Sequence, residues 1–281
     1  MFTLTNEKEV QLVGHVLPNT LVHGDCLEVM KYIPDGSVDL VLCDPPYGWI
    51  GTTACKWDSV IDFTLMWEQL KRIIKPNGAI VLFGAEPFSS LLRCSNLGMF
   101  KYDWIWEKTR PSNPMVSKIR PLSYHENISV FYNKQPCYNP QKTLGKVNNG
   151  QGVKIREKFS LSNGIRTNYV NDVNTKLKFP RSVIKFDRGT VQQHPTQKPV
   201  ALLEYLIKTY TNENETVLDF TFGSCSTGVA CLNTNRKFIG IEMEEKYFDV
   251  GVNRMQESIM KGETKWSRLN LKSTKHTING L

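Results

Sequence analysis

Short apolar runs alternate with helix-like segments in both the first and the last part of this chain, and a long polar segment separates the two regions. The runs 38–43, 79–83, 216–220 and 238–242 are rich in Val, Ile, Leu and Phe and are too short to be helices. Continuous apolar runs of this kind are typical of parallel strands that are buried on both faces. The alternation predicts an α/β fold, a doubly wound, mostly parallel sheet with an inserted, loop-rich lobe.

The segments between these runs carry apolar residues at helical spacing. In 63–75, which follows the N-cap candidate Asp62, apolar side chains recur every three or four positions, and Pro76 and Gly78 end the pattern. Similar signals predict helices at 87–97, 200–210, 226–235 and 246–260. Two further apolar runs predict strands at 102–106 and 128–132.

Positive charge is concentrated in one part of the 281-residue chain. Between Lys108 and Arg188 there are 16 Lys and Arg and four acidic residues, a net charge of +12, whereas the rest of the chain carries −4. This basic excess favours a polyanion such as nucleic acid as a partner. It also fits a solvated surface rich in lysine, and charge alone does not decide between the two. Because 139–181 is polar with weak periodicity, we predict the loop-rich lobe there.

The composition argues against several classes of protein. No apolar run is long enough to span a bilayer, and the first ten residues lack the apolar core of a secretory signal. The seven cysteines are scattered without a Cys-x-x-Cys spacing or paired histidines, which argues against a disulfide framework and against a metal site. We therefore expect a cytoplasmic protein with no membrane partner and no bound metal.

The tetrapeptide Asp44-Pro45-Pro46-Tyr47 follows the predicted strand 38–43, at the edge of the sheet where α/β proteins bind ligands. The Asp44 carboxylate and the Pro45 carbonyl could each accept one N–H from an exocyclic amine such as adenine N6 and so orient its lone pair. Two prolines, Pro45 and Pro46, would stiffen this loop, and Tyr47 would stack on a base flipped out of a duplex. The alternative is an ordinary turn that ends a strand.

A second candidate site lies where the predicted strand 216–220 runs through a turn of small residues into a helix. Glycine allows close approach of a ligand, and a helix N-terminus offers free N–H groups. Glu242, at the end of the next strand, could bind a ribose diol. The alternative is a core turn followed by a solvated glutamate. The candidate residues of the turn are Asp219, Phe220, Phe222, Gly223 and Ser224.

These two motifs together resemble those of amino-group DNA methyltransferases that use S-adenosylmethionine. Asp44-Pro45-Pro46-Tyr47 is similar to their catalytic motif, in the aspartate form of the adenine-N6 branch. The segment 219–227 resembles their cofactor motif, except that Phe220 and Cys225 replace a proline and a glycine. Cys225 would then place a thiol beside the bound ligand. The motif order resembles the beta class, a circularly permuted arrangement of the fold.

The resemblance extends to two more segments. His194-Pro195-Thr196-Gln197-Lys198-Pro199 is similar to the segment that precedes the cofactor motif, which implies that Thr196 and Lys198 lie near the amino-acid end of the cofactor, with Lys198 paired to its carboxylate. The segment 23–26 is similar to the remaining cofactor contact, through Asp25 and Cys26. For Asp25 the alternative is a turn residue after a strand.

The resemblance implies a site-specific DNA methyltransferase that transfers a methyl group from S-adenosylmethionine to adenine N6 in double-stranded DNA. Two alternatives stay open, a cytosine-N4 methyltransferase and a non-catalytic DNA-binding protein with a degenerate cofactor fold. Membership of a restriction-modification system is open, as is the choice between a monomer and a homodimer. We expect DNA contacts from Lys108, Arg110, Lys118, Arg120, Lys154, Arg156, Lys158 and Arg166.

The same reasoning divides the chain into four parts. Residues 1–107 would form the catalytic half of the core, and 191–262 the cofactor-binding half. The basic segment 108–190 would contain the target-recognition lobe together with some core strands, and 263–281 would be a basic tail.

Overall fold

The structure is a computed structural model, and it describes residues 2–48, 58–112, 114–145, 157–159, 166–168, 176–187 and 197–274. At residue 114 and in 157–159, 166–168 and 263–274 it describes the backbone alone. The chain forms two compact units, one made of Met1–Asn139 and Ser182–Leu281, and the other of Pro140–Arg181.

The secondary-structure elements alternate in type along most of the first unit. The strands are β1 (Thr3–Asn6), β2 (Thr20–His23), β3 (Val38–Cys43), β4 (Ile74–Gly84), β5 (Phe100–Ser112), β6 (Ser123–Phe131), β7 (Thr143–Leu144), β8 (Glu157–Phe159), β9 (Arg166–Asn168), β10 (Leu177–Lys178), β11 (Val183–Phe186), β12 (Thr216–Asp219) and β13 (Lys237–Glu242). The α-helices are α1 (Glu7–Val13), α2 (Cys26–Val29), α3 (Phe63–Ile73), α4 (Phe88–Ser95), α5 (Val200–Tyr210), α6 (Ser226–Asn233) and α7 (Glu245–Thr274), and two short 3-10 helices are Met30–Tyr32 and Pro114–Val116.

Nine strands of the first unit form one sheet in the order β1-β2-β13-β12-β3-β4-β6-β5-β11. Neighbouring strands are parallel, except that β6 is antiparallel to both β4 and β5. The second unit contains two antiparallel pairs, β7 with β10 and β8 with β9. The predicted fold class, a doubly wound and mostly parallel sheet, is confirmed.

Helices cover both faces of this sheet because its central strands are apolar on both sides. In β3, Val41 belongs to one core cluster with α3 and α4, whereas its neighbours Leu40 and Leu42 belong to a second cluster with α5 and α6. Side chains alternate between the faces of a strand, so a continuous apolar run supplies both cores. This arrangement is the physical basis of the prediction made from 38–43.

Several elements differ from the sequence prediction. β3 and α5 have the predicted bounds, but β1, α1 and β11 were not predicted and α7 extends to Thr274. A signal for α1 was present, since Asn6 and Glu9 form a capping box at its start. Although α7 has 30 residues, no helix in the described ranges is apolar enough over its length to cross a membrane.

The topology creates a crevice beside β12 and β3. These two strands are parallel neighbours, but the chain continues from β12 to β13 on one side and from β3 to β4 on the other. The loops that leave their carboxyl ends therefore diverge, which opens a cleft at that edge of the sheet.

Candidate active site

A cavity of about 660 Å³ lies at the carboxyl ends of these parallel strands. Every catalytic or cofactor residue predicted from the sequence lines it, apart from Thr196, which lies outside the described residues. The sequence motifs, which are far apart along the chain, thus meet in one place. The predicted residues that line the cavity are Asp25, Cys26, Asp44, Pro45, Pro46, Tyr47, Lys198, Asp219, Phe220, Phe222, Gly223, Ser224 and Glu242.

Both carboxylate oxygens of Asp44 have partners. The Tyr47 hydroxyl donates a hydrogen bond to Oδ1 at 2.5 Å, and the Lys198 ammonium donates one to Oδ2 at 2.5 Å. Burial raises the pKa of Asp44, while the Lys198 charge acts in the opposite direction. Each oxygen has a second lone pair, so the carboxylate can still accept an N–H from a ligand.

The Tyr47 ring also helps to fix this loop, which we call the Asp44 loop (residues 44–47). It stacks on Phe88 with ring centroids 4.9 Å apart and an angle of 28° between the planes. One face of the ring is therefore covered by protein. Stacking of Tyr47 on a flipped base stays a prediction, and such a base would have to stack on the other face of the Tyr47 ring.

The Asp44 carboxylate is the first member of a buried chain of alternating charges. Behind it, the Lys198 ammonium lies 3.2 Å from Glu126 Oε2, and the Lys108 ammonium lies 3.2 Å from Glu126 Oε1. The side chains of Lys108, Glu126 and Lys198 are 1%, 9% and 7% exposed. We call Asp44, Lys198, Glu126 and Lys108 the charge chain.

The charge chain keeps its inner members ionised. Burial acts to raise the pKa of Glu126, but the Lys198 and Lys108 charges outweigh it, and this pKa is lowered. Burial acts to lower the pKa of Lys198, but the Asp44 and Glu126 carboxylates outweigh it, and this pKa is raised. A buried charge is stable only when it is paired, and here each ion neutralises its neighbours.

One predicted DNA contact is wrong. Lys108 is buried, donates a hydrogen bond to Ser112 Oγ at 2.7 Å and pairs with Glu126, so its ammonium lines the cavity and not the outer surface. Its charge was counted with the basic segment because sequence alone does not show which lysines are paired inside the core.

Glu126 was missed as a site residue. It is the one acidic residue of the sequence between Lys108 and Glu157, and it begins the buried stretch 126–131 of β6. An isolated acid at the start of a buried strand inside a basic segment is a usable signal, because such a charge must be paired.

The other predicted DNA-contact residues fall into three groups. Arg110, Lys118 and Arg120 are exposed, as a phosphate contact requires. Lys158 and Arg166 belong to β8 and β9, of which the backbone alone is described. The last two, Lys154 and Arg156, lie outside the described residues.

The turn after β12, which we call the Gly223 turn (residues 219–225), has a different chemistry. Asp219 is 4% exposed and accepts hydrogen bonds from Thr227 Oγ1 at 2.6 Å and from the Thr221 amide at 3.3 Å. Its partners are neutral groups, and burial raises its pKa to about 6. Asp219 thus stabilises the turn and the start of α6.

Gly223 and Glu242 form the wall of the cavity opposite the Asp44 loop. Gly223 has φ +53°, a left-handed conformation that favours glycine, and its amide donates to Glu242 Oε2 at 2.8 Å. The Glu244 amide donates to Oε1 at 2.9 Å. Glu242 is 9% exposed and lines the cavity, so this fixed carboxylate faces any ligand there.

The structure corrects the expectation for Cys225. Its side chain is fully buried in the core, where Gly228 and Gly251 make room for it, and it does not line the cavity. The thiol therefore lies away from a bound ligand. Cys225 adopts φ +56°, so the glycine usual in the resembling family would suit this backbone without a side chain. Phe220, the other departure, does line the cavity.

Asp25 is a turn residue after a strand, as the alternative interpretation predicted, and its contact with a cofactor stays a prediction. It is the N-cap of α2, where its carboxylate accepts from the Leu27 amide at 2.7 Å, and it is exposed at the rim of the cavity. The Glu7 carboxylate accepts from the Asp25 amide at 3.2 Å and so holds the loop. Cys26 is buried beside it, and burial raises the pKa of its thiol to about 12.

One hydroxyl ties the two walls together. Thr221 in the Gly223 turn donates to the Asp44 carbonyl oxygen at 3.2 Å, and the Cys43 sulfur lies 3.0 Å from the same hydroxyl. The two loops therefore have a fixed separation, which a reaction between a ligand on each wall requires.

The class of protein follows from this fold and site. Residues 38–253 match a family described as DNA methylase, N6_N4_Mtase. The match covers most of the sheet and both walls of the cavity. The chain belongs to this family of DNA methylases.

Two curated relatives support the family assignment. The chain is 32% identical over 267 residues to the type II methyltransferase M.HinfI of Haemophilus influenzae, covering 85% of this chain and 68% of the relative. It is 31% identical over 254 residues to the DNA adenine methyltransferase YhdJ of Escherichia coli strain K12, covering 84% of this chain and 82% of the relative.

Solved structures show the same fold. M1.HpyAVI in complex with SAM is 27% identical, with a TM-score of 0.54, and the match covers 83% of this chain and 98% of that one. The cytosine-N4-specific PvuII DNA methyltransferase is 18% identical with a TM-score of 0.61 over 85% of this chain and 86% of its own, a likeness of fold alone.

Proposed function

We propose that this chain transfers a methyl group from S-adenosylmethionine to the N6 amine of adenine at specific sites in double-stranded DNA. The observation that carries the proposal is the position of the Asp44 carboxylate in the same cavity as Glu242 and the Gly223 turn. The name of YhdJ, a DNA adenine methyltransferase, supports adenine as the target base.

The residues on the side of the cavity formed by Gly223 and Glu242, together with Asp25 at the rim, fit the cofactor. The Glu242 carboxylate would hold the ribose diol, Gly223 would allow close approach of the ligand, and Asp25 would meet the cofactor's adenine. The cavity of about 660 Å³ has the size of a site for a nucleoside-sized ligand. When bound, S-adenosylmethionine supplies an electrophilic methyl group on its sulfonium sulfur.

Asp44 would orient the amine of the target base. The lone pair of adenine N6 is delocalised into the ring, so the amine is a poor nucleophile. The Asp44 carboxylate and the Pro45 carbonyl would each accept one N–H and favour a pyramidal nitrogen whose lone pair faces the methyl group. Tyr47 and Lys198 hold this carboxylate before the base arrives, so little reorganisation is needed.

Asp44 is also placed to take up the proton that the amine loses. After the new N–C bond forms, N6 carries one proton too many and must release it. Because burial raises its pKa, the Asp44 carboxylate is a better proton acceptor than an exposed aspartate. Lys198 would then remain paired with Glu126, so the buried cation keeps a partner.

We further propose that DNA binds along the basic segment 108–190, with target recognition by its lobe. Arg110, Lys118 and Arg120 are exposed, as this proposal requires. Neutralising these three side chains should weaken DNA binding and flatten its dependence on salt. In the bacterial relatives DNA lies in the cytoplasm, and we place this chain there as well.

One experiment tests the proposed function. The purified protein is incubated with S-adenosylmethionine and bacterial genomic DNA that lacks adenine methylation, and the product is sequenced with detection of modified bases. Methyl groups on adenine N6 at a defined sequence would support the proposal. Methyl groups on cytosine N4 would show that the target base is cytosine and not adenine. DNA binding without any modification would indicate a non-catalytic DNA-binding protein.

A further inference from the structure

The loop between β5 and β6 begins at the rim of the cavity. Ser112, the last residue of β5, is paired with Ser123, the first residue of β6, and both line the cavity. The residues between them therefore extend from the site itself. We call the described part of this segment, residues 114–122, the rim loop.

The rim loop has a compact backbone with two large apolar side chains on its outside. The amides of Ile119 and Arg120 both donate to the Val116 carbonyl, at 3.0 and 3.1 Å, which forms one helical turn. Met115 is 95% exposed and Ile119 is 83% exposed. Met115 directly precedes this turn and Ile119 belongs to it, and we call these two exposed side chains of one short loop the apolar patch.

Cations flank this patch. Arg110, Lys118 and Arg120 are exposed, and the sequence has no acidic residue between Lys108 and Glu126. An apolar centre with a basic border suits an anionic partner that also exposes an apolar surface. It matches DNA opened at one base step, where phosphates surround an apolar gap between stacked bases.

We propose that Met115 and Ile119 enter the DNA duplex and fill the space that the target adenine leaves when it turns into the cavity. Arg110, Lys118 and Arg120 would bind the flanking phosphates. This inference rests on the proposed function, because a base must leave the stack to reach Asp44. The wedge replaces lost stacking contacts and so lowers the cost of the open state.

The test compares two duplexes that contain the sequence methylated by the unaltered protein. One duplex is fully paired, and the other has an abasic residue opposite the target adenine, so that the base is already unpaired. The variant is Met115→Ala/Ile119→Ala. The matched control is Leu12→Ala/Val13→Ala on α1, where the side chains are 88% and 60% exposed and do not line the cavity.

We expect turnover of the Met115→Ala/Ile119→Ala variant on the paired duplex to fall about 10- to 100-fold, the equivalent of the cost of opening one base pair. On the abasic duplex its turnover should return to within about threefold of the unaltered protein. The control variant should match the unaltered protein on both duplexes.

Three results would overturn this inference. Turnover on the paired duplex could be unchanged, or it could fall equally on both duplexes, which would indicate a general defect in the site. Sedimentation could show that the unaltered protein is a dimer and the variant a monomer, in which case a second copy covers the patch. Absence of methyl transfer by the unaltered protein would instead refute the proposed function itself.

Discussion

The Asp44 loop and the Gly223 turn follow neighbouring parallel strands and face the same cavity, yet they are stabilised in different ways. Asp44 is paired with Lys198, which in turn pairs with Glu126, so two distant parts of the chain support one carboxylate. Asp219 in the Gly223 turn accepts hydrogen bonds from Thr221 and Thr227, which are close in sequence.

The difference indicates how each wall responds to mutation. The Asp44 loop depends on long-range ion pairs, so a change at Glu126 or Lys198 should alter the pKa of the Asp44 carboxylate. The Gly223 turn is held by hydrogen bonds to Asp219 and Glu242, so a change there should alter cofactor affinity more than the charge on Asp44. Mutations in the Asp44 loop should therefore lower mainly the turnover, and mutations around the Gly223 turn should lower mainly the cofactor affinity.

The largest effect should come from Asp44→Ala. Loss of the acceptor that orients the amine should lower the methyl-transfer rate by at least about 1,000-fold, while cofactor affinity changes little. Transfer of radioactive methyl groups to DNA and calorimetric titration with S-adenosylmethionine measure the two quantities. Asp249→Ala, an exposed change on α7, is the control. Substantial turnover in the Asp44 variant would refute the assigned role.

The second effect is expected for Lys198→Met. The Lys198 charge acts to lower the pKa of Asp44, so its loss should raise that pKa, move the acid limb of kcat to higher pH and lower turnover about 100-fold at neutral pH. Lys208→Met, an exposed change on α5, is the control, and Lys198→Arg should retain part of the activity.

The same variant distinguishes two roles for Lys198. If it mainly supports Asp44, the dissociation constant for S-adenosylmethionine should change less than about threefold. A rise of the dissociation constant without a change in the pH profile would favour the role implied by the family resemblance, a contact with the cofactor carboxylate.

The third effect, expected for Glu242→Ala, is a loss of cofactor affinity at the wall formed by Gly223 and Glu242. Removal of the carboxylate that fixes the Gly223 amide should raise the dissociation constant for the cofactor about 10-fold, with kcat largely recovered at saturating cofactor. Calorimetry and saturation kinetics measure both values. Glu245→Ala, an exposed change at the start of α7, should leave affinity unaltered. If the Glu242→Ala variant had normal cofactor affinity but a low kcat, the expectation that this wall governs affinity and the Asp44 loop governs turnover would be wrong.

The smallest effect is expected for Glu126→Gln. The Glu126 carboxylate acts to raise the pKa of Asp44, so its neutralisation should lower that pKa and move the acid limb of kcat to lower pH, by less than about one unit. The shift has the opposite sign to that of Lys198→Met. Glu107→Gln, which removes an exposed partner of Lys185, is the control. A shift to higher pH in the Glu126 variant would show that the charge chain does not act on Asp44 in this way.

Much of the fold could be predicted because its signals are local. The run in β3 is buried on both faces, and the pattern of α5 repeats at helical spacing, so both were predicted with their observed bounds. β1 and β11 were missed because short strands with exposed residues carry little periodic signal. They form where a neighbouring strand offers hydrogen-bond partners.

The amino-acid sequence by itself determined which motifs line the cavity, because Asp44-Pro45-Pro46-Tyr47, the Gly223 turn and Glu242 are short motifs at the ends of recognisable strands. Tertiary structure decided which charges meet. Lys108 and Glu126 lie on the paired strands β5 and β6, and Lys198 lies just before α5. The fold brings these three segments together behind Asp44, so their charges pair. The free energy of a buried charge depends on its nearest partner in space, and sequence distance carries no information about that partner.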